Sequence, residues 1–156
     1  MKKILLTLLF VVATSFSLQA QTKLGGGIAY GFDVSELGIQ LRGVHQFNDT
    51  WGGGADFVYY LDGVKDFSIW EFNVNAHYFL TSTDQAKLYA LAGLNLFGAS
   101  FTFLGETISN TEPGLNVGAG GQVGISDKIS GIAELKFSIG DASQLLFGAG
   151  ILVDLN

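Results

Sequence analysis

The chain has no cysteine, one proline (Pro113) and one methionine (Met1). Without thiols there are no disulfides and no thiolate metal sites, so stability must come from packing and hydrogen bonding alone. Charge is also scarce, at 14% of residues against roughly 25% in a typical soluble domain. Basic residues are scarcer still: eight Lys and Arg face fourteen Asp and Glu, with no basic cluster. Phosphate contacts need such clusters, so nucleic acid is not an expected partner. Past the first 20 residues no apolar run nears the roughly 20 residues of a membrane helix. Yet 48% of the chain is hydrophobic. Abundant apolar residues without a long run must be dispersed, and dispersal by alternation is how a membrane barrel distributes them.

Residues 1–20 read as a secretory signal peptide and are set apart from the fold. Lys2 and Lys3 form a basic start, Ile4 to Ala13 an apolar stretch broken only by Thr7, and a more polar segment ends at Ala20. The apolar stretch is too short to span a bilayer as a helix. Leu18 stands where a small residue usually precedes the cut, and no cysteine follows for lipid attachment. Residues 21–156 then form one expected domain of 136 residues, carrying six Lys and Arg, fourteen Asp and Glu and a net charge of −8.

Period-two alternation runs through that domain in eight segments: 24–32, 37–47, 51–61, 69–80, 87–97, 114–125, 131–139 and 145–155. In the fourth, Trp70, Phe72, Val74, Ala76, Tyr78 and Leu80 oppose Glu71, Asn73, Asn75, His77 and Phe79. Such spacing predicts strands, and helical spacing fits none of the segments. The fifth has apolar residues in both phases; Asn95 assigns the polar phase and leaves Leu88, Ala90, Ala92, Leu94 and Leu96 outward. Short connectors such as Asn48-Asp49-Thr50 and Ser126-Asp127-Lys128 suit an antiparallel meander. Gly98 to Pro113 is the one long connection and is expected as an outer loop. The fold class expected is all-β: an eight-stranded antiparallel up-and-down transmembrane β-barrel.

The composition of the second phase decides which face meets lipid. It carries glycines such as Gly25, Gly27, Gly118, Gly120, Gly148 and Gly150, amides and scattered charges, not the Lys, Glu and Thr of a water-facing sheet. Glycine is costly in an exposed strand and useful at the crowded centre of a narrow barrel. The polar phase is therefore expected inside. On the apolar phase, Tyr30, Phe32, Tyr59, Trp70, Phe72, Phe137 and Phe147 fall towards one end, and Phe47, Trp51 and Tyr78 towards the other. Two aromatic girdles around an aliphatic band suit the two membrane–water interfaces. A closed sheet also leaves no unpaired edge in lipid.

On this pattern the domain resembles the small bacterial outer-membrane β-barrel domain family, similar to the membrane domain of outer membrane protein A. Its most specific piece is the last strand, Gly150-Ile151-Leu152-Val153-Asp154-Leu155. It resembles the terminal signal that the barrel assembly machinery reads in that class, although Leu155-Asn156 stands in place of a terminal aromatic residue. The resemblance implies a bacterial outer-membrane location, outer-membrane lipid and the assembly machinery as partners, and a monomer.

Six charged or titratable residues fall in the inward phase: Arg42, Asp56, Glu71, His77, Glu134 and Lys136. Isolated buried charges are expensive, so a network that plugs the lumen is expected, with Arg42 and Lys136 as its cations. A gate or small conductance is the functional alternative. No catalytic, metal or cofactor set emerges. Some eight-stranded outer-membrane barrels modify lipid, but His45 lies at the wrong end and His77 points inward, with no Ser-His-acid arrangement. Gly118-Ala119-Gly120-Gly121 lies inside a strand and precedes no helix, so it is no phosphate loop. Phe101, Phe103 and Leu104 in the long connection are expected to dip into the membrane interface or to touch an external partner. The role expected is noncatalytic, structural or surface-interacting; a narrow channel for small solutes is second, and a lipid-modifying enzyme third.

Overall fold

A computed structural model of the protein describes residues 21–61, 63 and 66–155. The expected signal peptide lies outside them. Eight strands follow one another: β1 (Gln21–Gly31), β2 (Glu36–Gln46), β3 (Trp51–Tyr60), β4 (Phe67–Ser82), β5 (Ala86–Phe103), β6 (Glu106–Ser126), β7 (Ile129–Gly140) and β8 (Gln144–Asp154). Each pairs antiparallel with its sequence neighbour, and β1 pairs with β8, closing the barrel. Both ends of the described chain therefore lie at one end of the barrel, here called the terminal end. The opposite end is the hairpin end, for a reason the strand lengths reveal.

Alternation becomes burial without a break along most strands. In β4, Trp70 to Leu80 alternate between accessible and buried, with Glu71, Asn73, Asn75, His77 and Phe79 all turned inside. The outward side chains form an apolar belt that includes Leu41 (64% exposed), Leu94 (62%) and Val117 (45%). Exposed apolar surface on this scale is unfavourable in water, and a bilayer removes the penalty. The inward glycines make room. A Cβ on Gly120 would come 2.6 Å from Glu134 Cγ and 2.7 Å from Tyr89 Oη, and one on Gly148 would come 2.7 Å from Gln40 Oε1.

The long connection is not a loop. β5 and β6 continue past the other strands in unbroken register from Ala86↔Val123 to Phe103↔Glu106. They turn at Leu104 and Gly105, with φ of 50° and 84°. Consecutive positive φ angles match the tight hairpin turn whose twist suits its strands. Its serines and threonines form cross-strand pairs: Ser100 with Ser109 and Thr102 with Thr107.

Phase also corrects the orientation expected for its apolar residues. Counting from inward Asn95 and Asn116, Phe97, Phe101, Phe103 and Ile108 continue the lumen-facing phase. Ser100, Thr102, Thr107 and Ser109 continue the lipid-facing one. Phe101 and Phe103 thus turn to the side of the barrel mouth, while Leu104 sits in the turn, 89% exposed.

Candidate functional site

The lumen is filled in layers. Nearest the terminal end, Val44, Phe79, Tyr89, Leu91, Ile132 and Leu152 form a buried apolar cluster. Nearest the hairpin end a second cluster joins Ala29, Val58, Tyr60, Ile69 and Leu146, with Val34, Phe67 and Phe97 packed on it. Each of these strands contributes one or two apolar residues to an otherwise polar phase. The phase predicts that they face inward, but their gathering at two levels depends on strand stagger, which the sequence does not display.

Between the clusters lie all six inward residues singled out in the sequence. Asp56 accepts hydrogen bonds from Lys136 Nζ at 2.5 Å, Gln40 Nε2 at 3.0 Å and Asn73 Nδ2 at 3.0 Å. Glu134 pairs with Arg42 Nη1 at 3.0 Å and accepts from Tyr89 Oη at 2.6 Å. Arg42 also donates to Gln40 Oε1 at 2.8 Å, linking the two centres. Glu71 has neutral donors instead: Tyr60 Oη at 2.7 Å, Asn95 Nδ2 at 3.2 Å, and Gln144. His77 stacks on Tyr89 with ring centroids 4.4 Å apart, and its Nε2 stands 3.9 Å from Glu134 Oε1. Its Nδ1 is buried with no hydrogen-bond partner among the described residues.

An amide ladder extends the network. Asn116 Nδ2 donates to Asn73 Oδ1 at 2.8 Å and Asn75 Oδ1 at 3.0 Å, while Ser138 Oγ donates to Asn116 Oδ1 at 2.7 Å. The sequence reading marked the charges and left these amides and the tyrosines Tyr60 and Tyr89 unassigned. Their inward phase was the available signal. Paired ions and satisfied amides in a closed interior fix side chains in place. Among the described residues no group of three metal-ligating side chains occurs.

Outside, Tyr30 faces Phe147 across the β1–β8 pair and packs edge-on to Phe32 at 5.1 Å. Tyr59 pairs with Trp70, Trp70 stacks near Phe57 at 6.1 Å, and its ring lies over Gly98. Phe137 lies on β7 opposite Leu145. At the terminal end Trp51 packs on Tyr78 at 5.1 Å and Phe47 on His45 at 5.0 Å. His45 Nδ1 also hydrogen-bonds Thr22 Oγ1 at 2.8 Å.

Charge is divided unequally between the two ends. Among the described residues the hairpin end carries Asp33, Glu36, Asp66, Glu106, Glu112 and Asp141 and no Lys or Arg. The terminal end mixes Lys23, Lys87 and Lys128 with Asp49, Asp84, Asp127 and Asp154.

No family model matches the chain, and no curated protein matches it. Solved structures do. Ail, the attachment invasion locus protein of Yersinia pestis, superposes with a TM-score of 0.64 at 20% identity, covering 87% of this chain and 97% of Ail. The N-terminal β-barrel domain of Pseudomonas aeruginosa OprF gives 0.68 at 16% identity, over 88% of this chain and 100% of that domain. Neisserial surface protein A gives 0.61 at 20% identity, over 87% and 96%. These identities carry the likeness of fold and nothing finer: the chain folds as the small eight-stranded outer-membrane barrels do.

Proposed function

We propose that the protein is a noncatalytic integral barrel of a bacterial outer membrane, a monomer whose lumen is shut and whose working surface is the hairpin end. The observation that carries this is the contrast between a packed interior and a projecting, exposed hairpin. Two apolar clusters bracket the polar network, so a solute would have to displace Leu152 and Tyr89 at one end and Leu146 and Tyr60 at the other. The narrow-channel alternative draws no support from that packing. The enzyme alternative draws none from His45, which is held by Thr22 beside Phe47 on the apolar face.

The apolar belt supports lipid as the surrounding medium, and the aromatic residues near its two margins support the girdle reading. Insertion by the barrel assembly machinery fits the alternation of the last strand. Among the fold neighbours, Ail has also been solved with the heparin analogue sucrose octasulfate. The hairpin end here is acidic, which argues against a sulfated ligand of that kind and leaves surface interaction as the general reading.

Refolding the protein into lipid vesicles tests the proposal. A heat-modifiable shift in gel mobility together with negligible current in planar bilayers is the expected pair of results. Large steady conductance overturns the shut lumen, and failure to insert overturns the membrane assignment.

A further inference from the structure

Among the described residues, one backbone edge at the hairpin end has no partner strand. β7 pairs with β6 only from Gly114 onward, so Glu106 to Pro113 pair with β5 alone. The opposite side of the hairpin is covered, because β4 pairs with β5 up to Phe67↔Phe101 and Thr102 N donates to Asp66 O at 2.7 Å. Among the described residues the longest open side of the projecting sheet is therefore this edge of β6. Proteins usually blunt such edges with lysine, proline or a bulge. This one carries no lysine, its register against β5 is unbroken, and its only proline lies at its base, at Pro113.

Side chains beside the edge define what would fit it. On the mouth-facing phase β6 presents Glu106, Ile108, Asn110 and Glu112, so one exposed apolar residue stands between two carboxylates. Phe101, directly opposite Ile108, and Phe103 extend that apolar patch across the hairpin. The lipid-facing phase offers only Thr107, Ser109 and Thr111 before Pro113. Asp33, Glu36, Asp66, Glu106, Glu112 and Asp141 gather at this end and make the local field negative.

We infer that the Glu106–Pro113 edge of β6 docks an extended cationic peptide segment of a partner protein by strand addition. Main-chain hydrogen bonds to the open edge supply affinity, and alternate side chains supply selection. The matching segment places Lys or Arg opposite Glu106 and Glu112 and an apolar residue opposite Ile108, all in one phase. This deepens the surface-interaction reading and rests on it.

The test uses the full barrel folded in vesicles and a short labelled peptide alternating threonine with lysine and valine. Binding read by fluorescence anisotropy is expected to weaken with added salt. It is expected to fall by about tenfold in the double variant Glu106→Lys, Glu112→Lys, because both cross-edge charge pairs become repulsive. A peptide N-methylated at every residue has no backbone donor left on either edge and is expected not to bind. Equal binding of the methylated peptide, undiminished binding by the charge-reversed barrel, preference for sucrose octasulfate, or no peptide binding by the inserted barrel would each overturn the inference. Heat-modifiable mobility, measured on the same samples, reports separately on the membrane reading: loss of that shift in the unaltered protein defeats the barrel assignment, not the docking mode alone.

Discussion

Lys136 shows how much of the interior hangs on single side chains. Its ammonium is almost wholly buried, 2.5 Å from Asp56 and 3.9 Å from Glu134. Replacing it by methionine strands the Asp56 charge beside two amides. Lys136→Met is expected to cost about 3–5 kcal/mol, the usual penalty for breaking a buried pair on one side. Urea unfolding in lipid vesicles measures it, and adding Asp56→Asn to the same chain is expected to recover most of the loss. The same measurement applies to Gly120. Valine there would press on Glu134 and Tyr89, and overpacking of that kind is expected to cost about 1–3 kcal/mol. At this scale the sequence was legible in one respect: phase alone placed Arg42, Asp56, Glu71, His77, Glu134 and Lys136 inside. Which partner each one meets was not. Lys136 and Asp56 are 80 residues apart, and Gln144 reaches Glu71 across 73. Those meetings follow from stagger between strands, which no local pattern encodes.

Among the elements, the β5–β6 hairpin departs furthest from the sequence reading, for a physical reason. Ser100, Thr102, Thr107 and Ser109 are turn formers by composition, yet β-branched threonines are also at home in strands. Alternation with Phe101, Phe103 and Ile108 was present in the sequence. It was hidden because the alternating partners are polar on the side that had been apolar lower in the same strands. The turn itself gives a prediction. Leu104 has a φ of 50°, a conformation that asparagine adopts far more readily than leucine. Leu104→Asn is expected to slow amide exchange in residues 100–109 while leaving the barrel unaffected. Gly105→Ala, at a φ of 84°, is expected to accelerate it. Exchange monitored by NMR in lipid nanodiscs distinguishes the two. The strands outside that hairpin were legible to within a few residues at their ends, and in the lower part of β5 one asparagine settled the phase.

For the whole molecule, the controlling variable is the depth of each outward residue in the apolar belt. Val117 lies between Ala92 and Phe137 on neighbouring strands, well inside the belt, whereas Leu155 lies just beyond β8 at the terminal end. Val117→Arg is expected to destabilise the folded barrel by about 2–4 kcal/mol and Leu155→Arg by about 0–1 kcal/mol. Reversible unfolding from vesicles checks both. Spin labels at Ile39 and Val117 are expected to be relaxed by oxygen dissolved in lipid and shielded from aqueous quenchers; the opposite pattern would mean a soluble tube turned inside out.

Barrel closure sets an order of events. β1 pairs with β8, from Lys23↔Asp154 to Gly31↔Leu146, so the first strand waits for the last. Until β8 is in place, the strands of a nascent sheet expose two ragged flanks, each with unpaired amides that neither lipid nor a neighbour satisfies. Gly25 and Gly27 stand where any added Cβ would strike the backbone of Ile151 or Ala149, so the seam closes backbone to backbone. A ribosome pause, a frameshift or a protease cut near Gln144 would therefore leave most of the side-chain network synthesised and still yield no sealed tube. β8 acts as a latch: without it the remaining seven strands stay an open sheet.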